Sequence, residues 1–525
     1  MKNVSRRKLL KLGSATAAAA ALPRRSIAEQ LSQKHDPIPQ WNVFEVVLKG
    51  PSNGNPFVDV QLSATFSLGH REVQVEGFYD GNGTFRIRFM PDAQGIWHYR
   101  TVSNNPLLDN QTGSFEVVAP QPADHGPVGT CNTYHFAHAD GSPFFPFGTT
   151  CYAWIHQSEQ LQQQTLASLK DSPFNKLRMC VFPKHYEYNH NEPEFYPFVR
   201  DSAGKSDWTR FDPAFFAHLE RRISDLRAIG VQADLILFHP YDRWGYSSMS
   251  ADADDRYLRY VIARLSSYPN IWWSLANEFD LMKSKTVQDF DRFFQIVEQH
   301  DPYRHLRSVH YSHTMYDYGR PWATHASLQT ADFSAAPGFR SAWKKPVCFD
   351  EVQYEGNLNS RWGNLTGDEL ARRFWLGMIN GCYVTHGETY LTAPANFDVD
   401  STPTLWWAHG GILHGTSPKQ IAFLRKVLED TLGPTMRIGL QPSENPYYLN
   451  ATVVDEKTGR VEVVLYYFDY HQPIWYDFSL PEGTFTAEMI DPGQGTIKRL
   501  EGTFSGKTKI QLAGKAYRAV RFRHA

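Results

Sequence analysis

No strong charge of either sign marks this sequence: 53 Lys and Arg against 55 Asp and Glu leave a formal net charge of -2 over 525 residues. Such a chain has no field to gather nucleic acid or anionic lipid, so neither is expected as a partner. Cysteine is scarce and odd in number. Cys131, Cys151, Cys180, Cys348 and Cys382 show no metal-ligand spacing, and four of them sit in apolar runs, so buried thiols are expected rather than a disulfide framework. Long hydrophobic runs are missing too. The one Ala-rich apolar stretch, ending near Leu22, is shorter than the about 20 residues of a membrane-spanning helix. There is no Gly-rich phosphate loop, no Gly-x-Ser-x-Gly elbow, no His-Glu-x-x-His helix and no EF-hand loop. These absences set aside nucleotide binding and hydrolysis of the serine or zinc type, and no metal or cofactor is expected.

What is present begins with Ser5-Arg6-Arg7-Lys8-Leu9-Leu10-Lys11 ahead of that short apolar run. A basic segment with paired arginines before a short apolar stretch has the form of a twin-arginine export signal. Residues 1–30 are read as that signal, with a mature chain starting near Ala28 and working in the periplasm or outside the cell. Hydrophobic residues at 42% and charged residues at 21% provide for packed cores and exclude wholesale disorder. Aromatics reach 14%, with 14 Trp and 26 Tyr, which suits both large cores and platforms for sugar rings. Composition alone does not separate the two.

The expected architecture is multi-domain, with a central (β/α)8 TIM barrel flanked by N-terminal and C-terminal β-sandwiches. Residues 36–120 alternate apolar and polar, as in Phe57-Val58-Asp59-Val60-Gln61-Leu62 and Phe85-Arg86-Ile87-Arg88-Phe89, with turns such as Asp80-Gly81-Asn82-Gly83 between. Period 2 with frequent turns predicts a sandwich. Over 130–435 the pattern changes to strand, helix, strand. Asp212-Pro213 starts a helix whose Phe215, Phe216, Leu219, Ile223 and Leu226 recur at helical spacing up to Gly230, and an apolar strand follows. Eight strands are expected at 146–151, 176–182, 231–238, 271–276, 307–311, 323–328, 346–350 and 382–386, the fifth and sixth units having little helix between them. Eight such alternations predict a TIM barrel. Alternation returns over 436–525, which predicts a second sandwich.

A TIM barrel puts its active site at the C-terminal ends of its strands. Those ends read Arg178 through Phe182-Pro183-Lys184-His185 on strand 2, Phe238-His239-Pro240 on strand 3 and Ala276-Asn277-Glu278 on strand 4. They continue with His310-Tyr311 on strand 5, Phe349-Asp350-Glu351 on strand 7 and Thr385-His386-Gly387-Glu388 on strand 8. Strands 4 and 7 face each other across a barrel mouth. Two carboxylates so placed are the minimum for cleaving an acetal, one giving a proton and one attacking or guiding water. At a separation of about 5–5.5 Å they would retain anomeric configuration.

Ile271-Trp272-Trp273-Ser274-Leu275-Ala276-Asn277-Glu278 resembles the strand 4 signature of clan A glycoside hydrolases, and Lys345-Pro346-Val347-Cys348-Phe349-Asp350-Glu351 resembles their strand 7. The layout is similar to a bacterial group in which one sandwich precedes the barrel and another follows it. That group shares the stretches Asp-Glu-Val-Gln-Tyr-Glu-Gly and Thr-His-Gly-Glu-Thr-Tyr, present here at 350–356 and 385–390. The resemblance implies a retaining hydrolase of β-linked plant or algal oligo- or polysaccharides. In it Glu278 would be the acid/base and Asn277 would bond the sugar 2-hydroxyl. Glu351 would be the nucleophile, oriented and kept ionised by Arg178. His239 and His310 would line the −1 subsite, with Tyr311 near the nucleophile.

Some readings stay open at this stage. Asp350 competes with Glu351, but adjacent strand residues point to opposite faces, which favours Glu351 alone in the mouth. His239 and His310 also fit satisfied core histidines. His386 and Glu388 end strand 8 where relatives often place an aromatic, and are read as substrate-binding. Trp406-Trp407 is the candidate replacement platform, against packing on the last helix. The loop from His185 to Glu192 reads as a polar, aromatic subsite loop rather than a metal site. A non-catalytic carbohydrate-binding protein and a transglycosylase are the competing functions. Oligomeric state is not encoded in any pattern found.

Overall fold

The computed structural model describes residues 36–392, 405–433, 439–443, 449–455 and 457–525. The expected export signal and the expected boundary at 435/436 lie outside them. Among the described residues no helix is long and apolar enough to cross a membrane.

The first unit is a seven-stranded sheet in the order Ile38–Pro39, Thr112–Val118, Gly95–Ser103, Leu62–Leu68, Arg71–Tyr79, Thr84–Phe89 and Phe44–Lys49, antiparallel apart from the first pair. The long strand Arg71–Tyr79 pairs with Leu62–Leu68 along its first part and with Thr84–Phe89 at its end, which lets the sheet fold across itself. Rings from its two ends then meet: Phe44 stacks on Phe115 at 3.6 Å and Phe66 on Phe89 at 4.2 Å between centroids. One strand expectation fails here. Pro56–Asp59 forms a helical turn, with proline at its start and the Asp59 carboxylate accepting the Asn55 backbone N–H at 2.8 Å. A proline-initiated turn tied back to Asn55 by its own aspartate outweighs the alternation read over 57–62.

The barrel strands fall where the sequence places them. They are β1 Phe147–Thr150, β2 Lys176–Cys180, β3 Gln232–Phe238, β4 Ile271–Ala276, β5 Arg307–Ser308, β6 Ala326–Gln329, β7 Val347–Glu351 and β8 Tyr383–His386. They form one parallel sheet in the order β5-β4-β3-β2-β1-β8-β7-β6. A single parallel bridge, His310 to Ser327, links its two ends into a nearly closed barrel. The helices are α1 Glu159–Lys170, α2 Pro213–Ala228, α3 Ala251–Leu265, α4 Val287–His300, α5 Ala336–Trp343, α6 Gly367–Ile379 and α7 Ser417–Leu432. Between β5 and β6 there is no helix, in keeping with the weak pattern in that stretch. A small sheet of Val128–Cys131, His135–His138 and Pro143–Phe144 packs Phe136 and Phe144 against Trp272 and Tyr383 of the barrel. Cys151, Cys180, Cys348 and Cys382 are buried as thiols.

The last unit is a six-stranded antiparallel sheet, in the order Gln441–Pro442, Asn450–Val454, Val461–Tyr467, Ala519–His524, Phe485–Asp491 and Thr496–Arg499, beside a pair of Trp475–Ser479 with Lys507–Gln511. One face of the sheet packs on α6 and α7. Trp375 stacks on Tyr467, Arg372 pairs with Asp469, and Arg521 donates to the Val427 carbonyl of α7 at 3.0 Å.

The first unit is locked to the barrel by buried charge. Glu220 of α2 receives Arg264 of α3 at 2.6 Å and Arg88 of the N-terminal sheet at 2.8 Å, all three side chains being nearly inaccessible. Burial alone opposes ionisation of Glu220, but the two guanidiniums hold its carboxyl below the usual range. Removing the shared anion takes one of two carboxylate partners from each buried cation, leaving Arg88 with Glu45 and Arg264 with Asp80. Glu220→Ala is therefore predicted to lower stability by about 1–3 kcal/mol, read from denaturant unfolding; a change within experimental error would refute this role.

Candidate active site

The polypeptide builds the mouth of the barrel from the ends of β1, β2, β3, β4 and β7. At the end of β4 the chain turns through Glu278 in the left-handed region, φ 50° and ψ 54°, an unusual conformation for a residue with a long side chain. The turn is held by Asn277 N–H bonding the Phe238 carbonyl at 3.0 Å and Phe279 N–H bonding the His310 carbonyl at 2.9 Å. At the end of β7 the ladder with β6 slips: Leu328 pairs with Phe349, but Gln329 pairs with Glu351. This irregularity corrects the alternation argument, because Asp350 and Glu351 both reach the barrel interior. Asp350 points down the axis, where it meets Lys176 at 2.9 Å, Ser327 at 2.6 Å and Thr385 at 2.7 Å. Glu351 opens into the mouth. A bulge re-aims a side chain in this way.

Glu278 and Glu351 line one cleft of about 650 Å³, together with Tyr152, Lys184, Asn277, Tyr241, Tyr354 and Trp407. The Glu278 carboxylate accepts the Tyr241 hydroxyl and, at 3.0 Å, the Asn277 amide, both on Oε2. The Tyr152 hydroxyl bonds Glu351 Oε1 and lies 2.9 Å from Asn277 Oδ1. Arg178, fully buried, donates to Asn277 Oδ1 at 3.2 Å and sets its other Nη 3.7 Å from Glu351 Oε1. Asn277 thus couples the two carboxylates through its amide.

The electrostatics differ from the sequence expectation in one respect. Burial pushes the Glu351 carboxyl up to about 7 and the charge of Glu278 adds to this, while Arg178, Tyr152 and Lys184 pull the other way. Arg178 therefore favours ionisation of Glu351 without outweighing burial and Glu278. Lys184 is the residue that sequence reasoning missed most clearly. Its ammonium sits 3.8 Å from the ring centroid of Tyr152, 4.3 Å from Tyr186, 4.4 Å from Tyr241 and 5.6 Å from Trp407, a cation–π cage on the cleft floor. Burial lowers its pKa, against the attraction of Glu278 and Glu351.

The remaining candidates divide. Trp407 lines the cleft, edge-on to Tyr152, Tyr186 and Tyr188, which is the position the platform reading requires. Trp406 does not: it is buried, with its indole N–H on Thr149 Oγ1 at 2.8 Å. His310 is wholly buried 3.9 Å beneath Glu351, and neither ring nitrogen is hydrogen-bonded. His239 is buried beside the cleft with Nε2 on the Phe182 carbonyl at 3.1 Å, a satisfied core position on that side. Tyr311 lies outside the lining, and Tyr152 and Tyr354 occupy the place beside Glu351 expected for it. His185 sits on the outer side against His190 and Trp244, while Tyr186 and Tyr188 of the same loop enter the cleft. His386 and Glu388 are fully buried behind the cleft wall and do not line it. The short pairing of Glu355–Gly356 with Glu388–Thr389 turns the end of strand 8 away from the mouth. Tyr241 gave no signal beyond standing near a strand end, and Tyr354 none beyond its place in the shared stretch 350–356.

Opposed carboxylates in an aromatic cleft at the mouth of a (β/α)8 barrel define a clan A glycoside hydrolase. The chain belongs to the apiosidase-like family, matching the description "Apiosidase-like, catalytic domain" over residues 130–431. The flanking segments match two domains of unknown function, DUF5060 over 37–104 and DUF5605 over 452–523. A crystal structure from Bacteroides vulgatus, described as that of a candidate glycoside hydrolase, is 37% identical. It superposes with a TM-score of 0.84 over 94% of this chain and 100% of that one. A family 5 glycoside hydrolase from Bacteroides vulgatus shares the fold, with 14% identity and a TM-score of 0.58 over 77% of this chain and 94% of that one. No curated protein matches the sequence.

Two predictions follow from the charges. Lys184→Met removes a cation that lowers the pKa of Glu351, so that carboxyl is predicted to titrate higher, as read by 13C NMR of labelled glutamates. A shift downward, or none, would contradict the cage's electrostatic role. Because the folded pKa of Glu351 is raised, its contribution is favourable below its unfolded pKa and is lost as pH rises through about 7. Glu351→Gln is accordingly predicted to melt above wild type at pH 8 but not at pH 4; equal melting at both would refute the linkage.

Proposed function

We propose that this protein is a retaining glycoside hydrolase, cleaving a β-type linkage by double displacement with Glu351 as nucleophile and Glu278 as acid/base. The observation that carries the reading is the division of donors between the two carboxylates. Tyr152 and Arg178 face Glu351 and Lys184 attracts both acids; these groups favour an ionised Glu351 against burial and the charge of Glu278, so Glu351 takes the pair's negative charge once Glu278 holds the proton. Both donors to Glu278 fall on Oε2, leaving Oε1 for a proton and the leaving oxygen. In the first step Glu351 bonds the anomeric carbon as Glu278 protonates the departing oxygen. In the second, Glu278 takes a proton from water, whose oxygen displaces Glu351. Asn277, fixed by Tyr152 and Arg178, is placed to bond the sugar 2-hydroxyl. Tyr186, Tyr188, Trp362 and Trp407 supply rings on which sugar faces pack.

The family description makes apiosides the first substrates to test, within a plant or algal glycan. The flanking sheets are read as sandwich domains that support the barrel, and the paired arginines near the N-terminus support export to the periplasm or beyond.

The test is a panel of aryl α- and β-glycosides, including apiosides, run with wild type, Glu278→Gln and Glu351→Gln. One β-series member should turn over, with activity abolished in Glu351→Gln and kept mainly on good leaving groups in Glu278→Gln. In Glu351→Gly, azide should restore turnover and give the α-glycosyl azide. A β-azide product, or near wild-type rates in Glu351→Gln, would overturn the assignment.

A further inference from the structure

Behind the cleft wall, Glu355, His386 and Glu388 bring a carboxylate oxygen, an imidazole nitrogen and a second carboxylate oxygen within 4.8 Å of one another, the only such trio among the described residues. All three are wholly buried and none enters the cleft. Two anions facing each other in a dry interior repel strongly unless a proton or a cation lies between them.

Each of the three is held on its outer side. Glu355 accepts Thr416 N–H at 2.7 Å, Thr416 Oγ1 at 3.2 Å, Tyr390 Oη at 3.1 Å and Ser417 N–H at 3.0 Å. Glu388 accepts His414 N–H at 2.5 Å and Gly415 N–H at 2.9 Å. His386 Nδ1 lies 2.9 Å from Thr149 Oγ1, itself bonded by the Trp406 indole. The inner side is different. His386 Nε2 is buried without any hydrogen-bond partner and lies 3.9 Å from Glu388 Oε2, too far for a hydrogen bond. Two ligands about 2.0–2.2 Å from one tetrahedral ion stand about 3.3–3.6 Å apart, so a closure of a few tenths of an ångström brings this pair onto a shared ion. Gly415 closes the space: a Cβ there would come within 2.4 Å of Glu355 Oε2 and 2.6 Å of Glu388 Oε2. Its φ is not positive, so the close approach of the carboxylates, and not backbone conformation, calls for glycine.

We propose that Glu355, His386 and Glu388 form a structural site for one divalent transition-metal ion, zinc by its mixed imidazole and carboxylate ligands. Outer-face bonding of every ligand is what metal sites show, with the imidazole donating its other N–H, here to Thr149, so that the Nε2 lone pair is free. One carboxylate binding through both oxygens completes four donors. The ion would tie the ends of β7 and β8 to the start of α7, directly behind Tyr354 and Trp407 of the cleft.

The experiment uses untagged full-length protein, stripped with a chelator and titrated with zinc or cobalt(II). About one zinc per chain by elemental analysis, a raised melting temperature, and a visible ligand-field spectrum with cobalt(II) are expected. In His386→Gln and Gly415→Ala, checked for folding by circular dichroism, stoichiometry and spectrum should be lost. If His386→Gln fails to fold, Gly415→Ala and wild type decide the matter. Wild type that binds less than a tenth of an equivalent and melts unchanged with chelator would show a shared proton in place of the ion. Binding that survives in both variants would place the metal elsewhere. Either result overturns the proposal.

Discussion

Two carboxylates buried together at the barrel mouth set the terms for everything around them. Each loses hydration, and each raises the cost of ionising the other. The barrel answers with groups that the chain could leave out if Glu278 and Glu351 were surface residues. Arg178 lies fully buried below, Lys184 is enclosed by aromatic rings, and Tyr152 and Asn277 join the two acids into one hydrogen-bonded unit. A left-handed turn at Glu278 and a slipped ladder at Glu351 mark the two places where a carboxylate enters the mouth. The result is a site that costs stability and in return holds a proton between two defined positions.

Below the mouth a second set of charges fixes the frame. Lys176 on β2 bridges Asp234 on β3 and Asp350 on β7 inside the barrel, Thr385 donates to the same oxygen of Asp350 and Ser327 to the other. Asp350 thus has a full set of partners that leaves it no part in the cleft, although it stands next to Glu351 in the chain. The Glu220 cluster outside the barrel and the sheet packed on α6 and α7 hold the two flanking units, so the barrel ring is braced on opposite sides.

What was legible in the sequence follows from what local patterns encode. Apolar runs located all eight barrel strands, with helical periodicity in most of the gaps between them but not between β5 and β6, and their ends named Asn277, Glu278 and Glu351 at once. Trp407 and the tyrosines of the loop after β2 were legible as aromatic cleft residues. Direction was less legible than position. Alternation assumes a regular ladder, so it could not foresee the slip that turns both Asp350 and Glu351 inward. His386 and Glu388 end a strand, as a substrate-binding residue should, but pairing with the Glu355 segment turns them behind the wall. Lys184 and Tyr152 follow strand ends without a signature of their own, and only the tertiary cage of rings gives the lysine its meaning. The short turn at Pro56–Asp59 shows the same limit on a small scale, since one proline and one aspartate reverse a pattern six residues long.

The most direct test of the account is to trap its covalent intermediate. Incubating the protein with an activated 2-deoxy-2-fluoro glycoside of its substrate sugar, then digesting it and sequencing the labelled peptide by mass spectrometry, identifies the atom that attacks. The account predicts a mass increase of one glycosyl unit on Glu351, absent from Glu351→Gln. A label on Asp350 or Glu278, or turnover to a product of inverted configuration with no label, would contradict it.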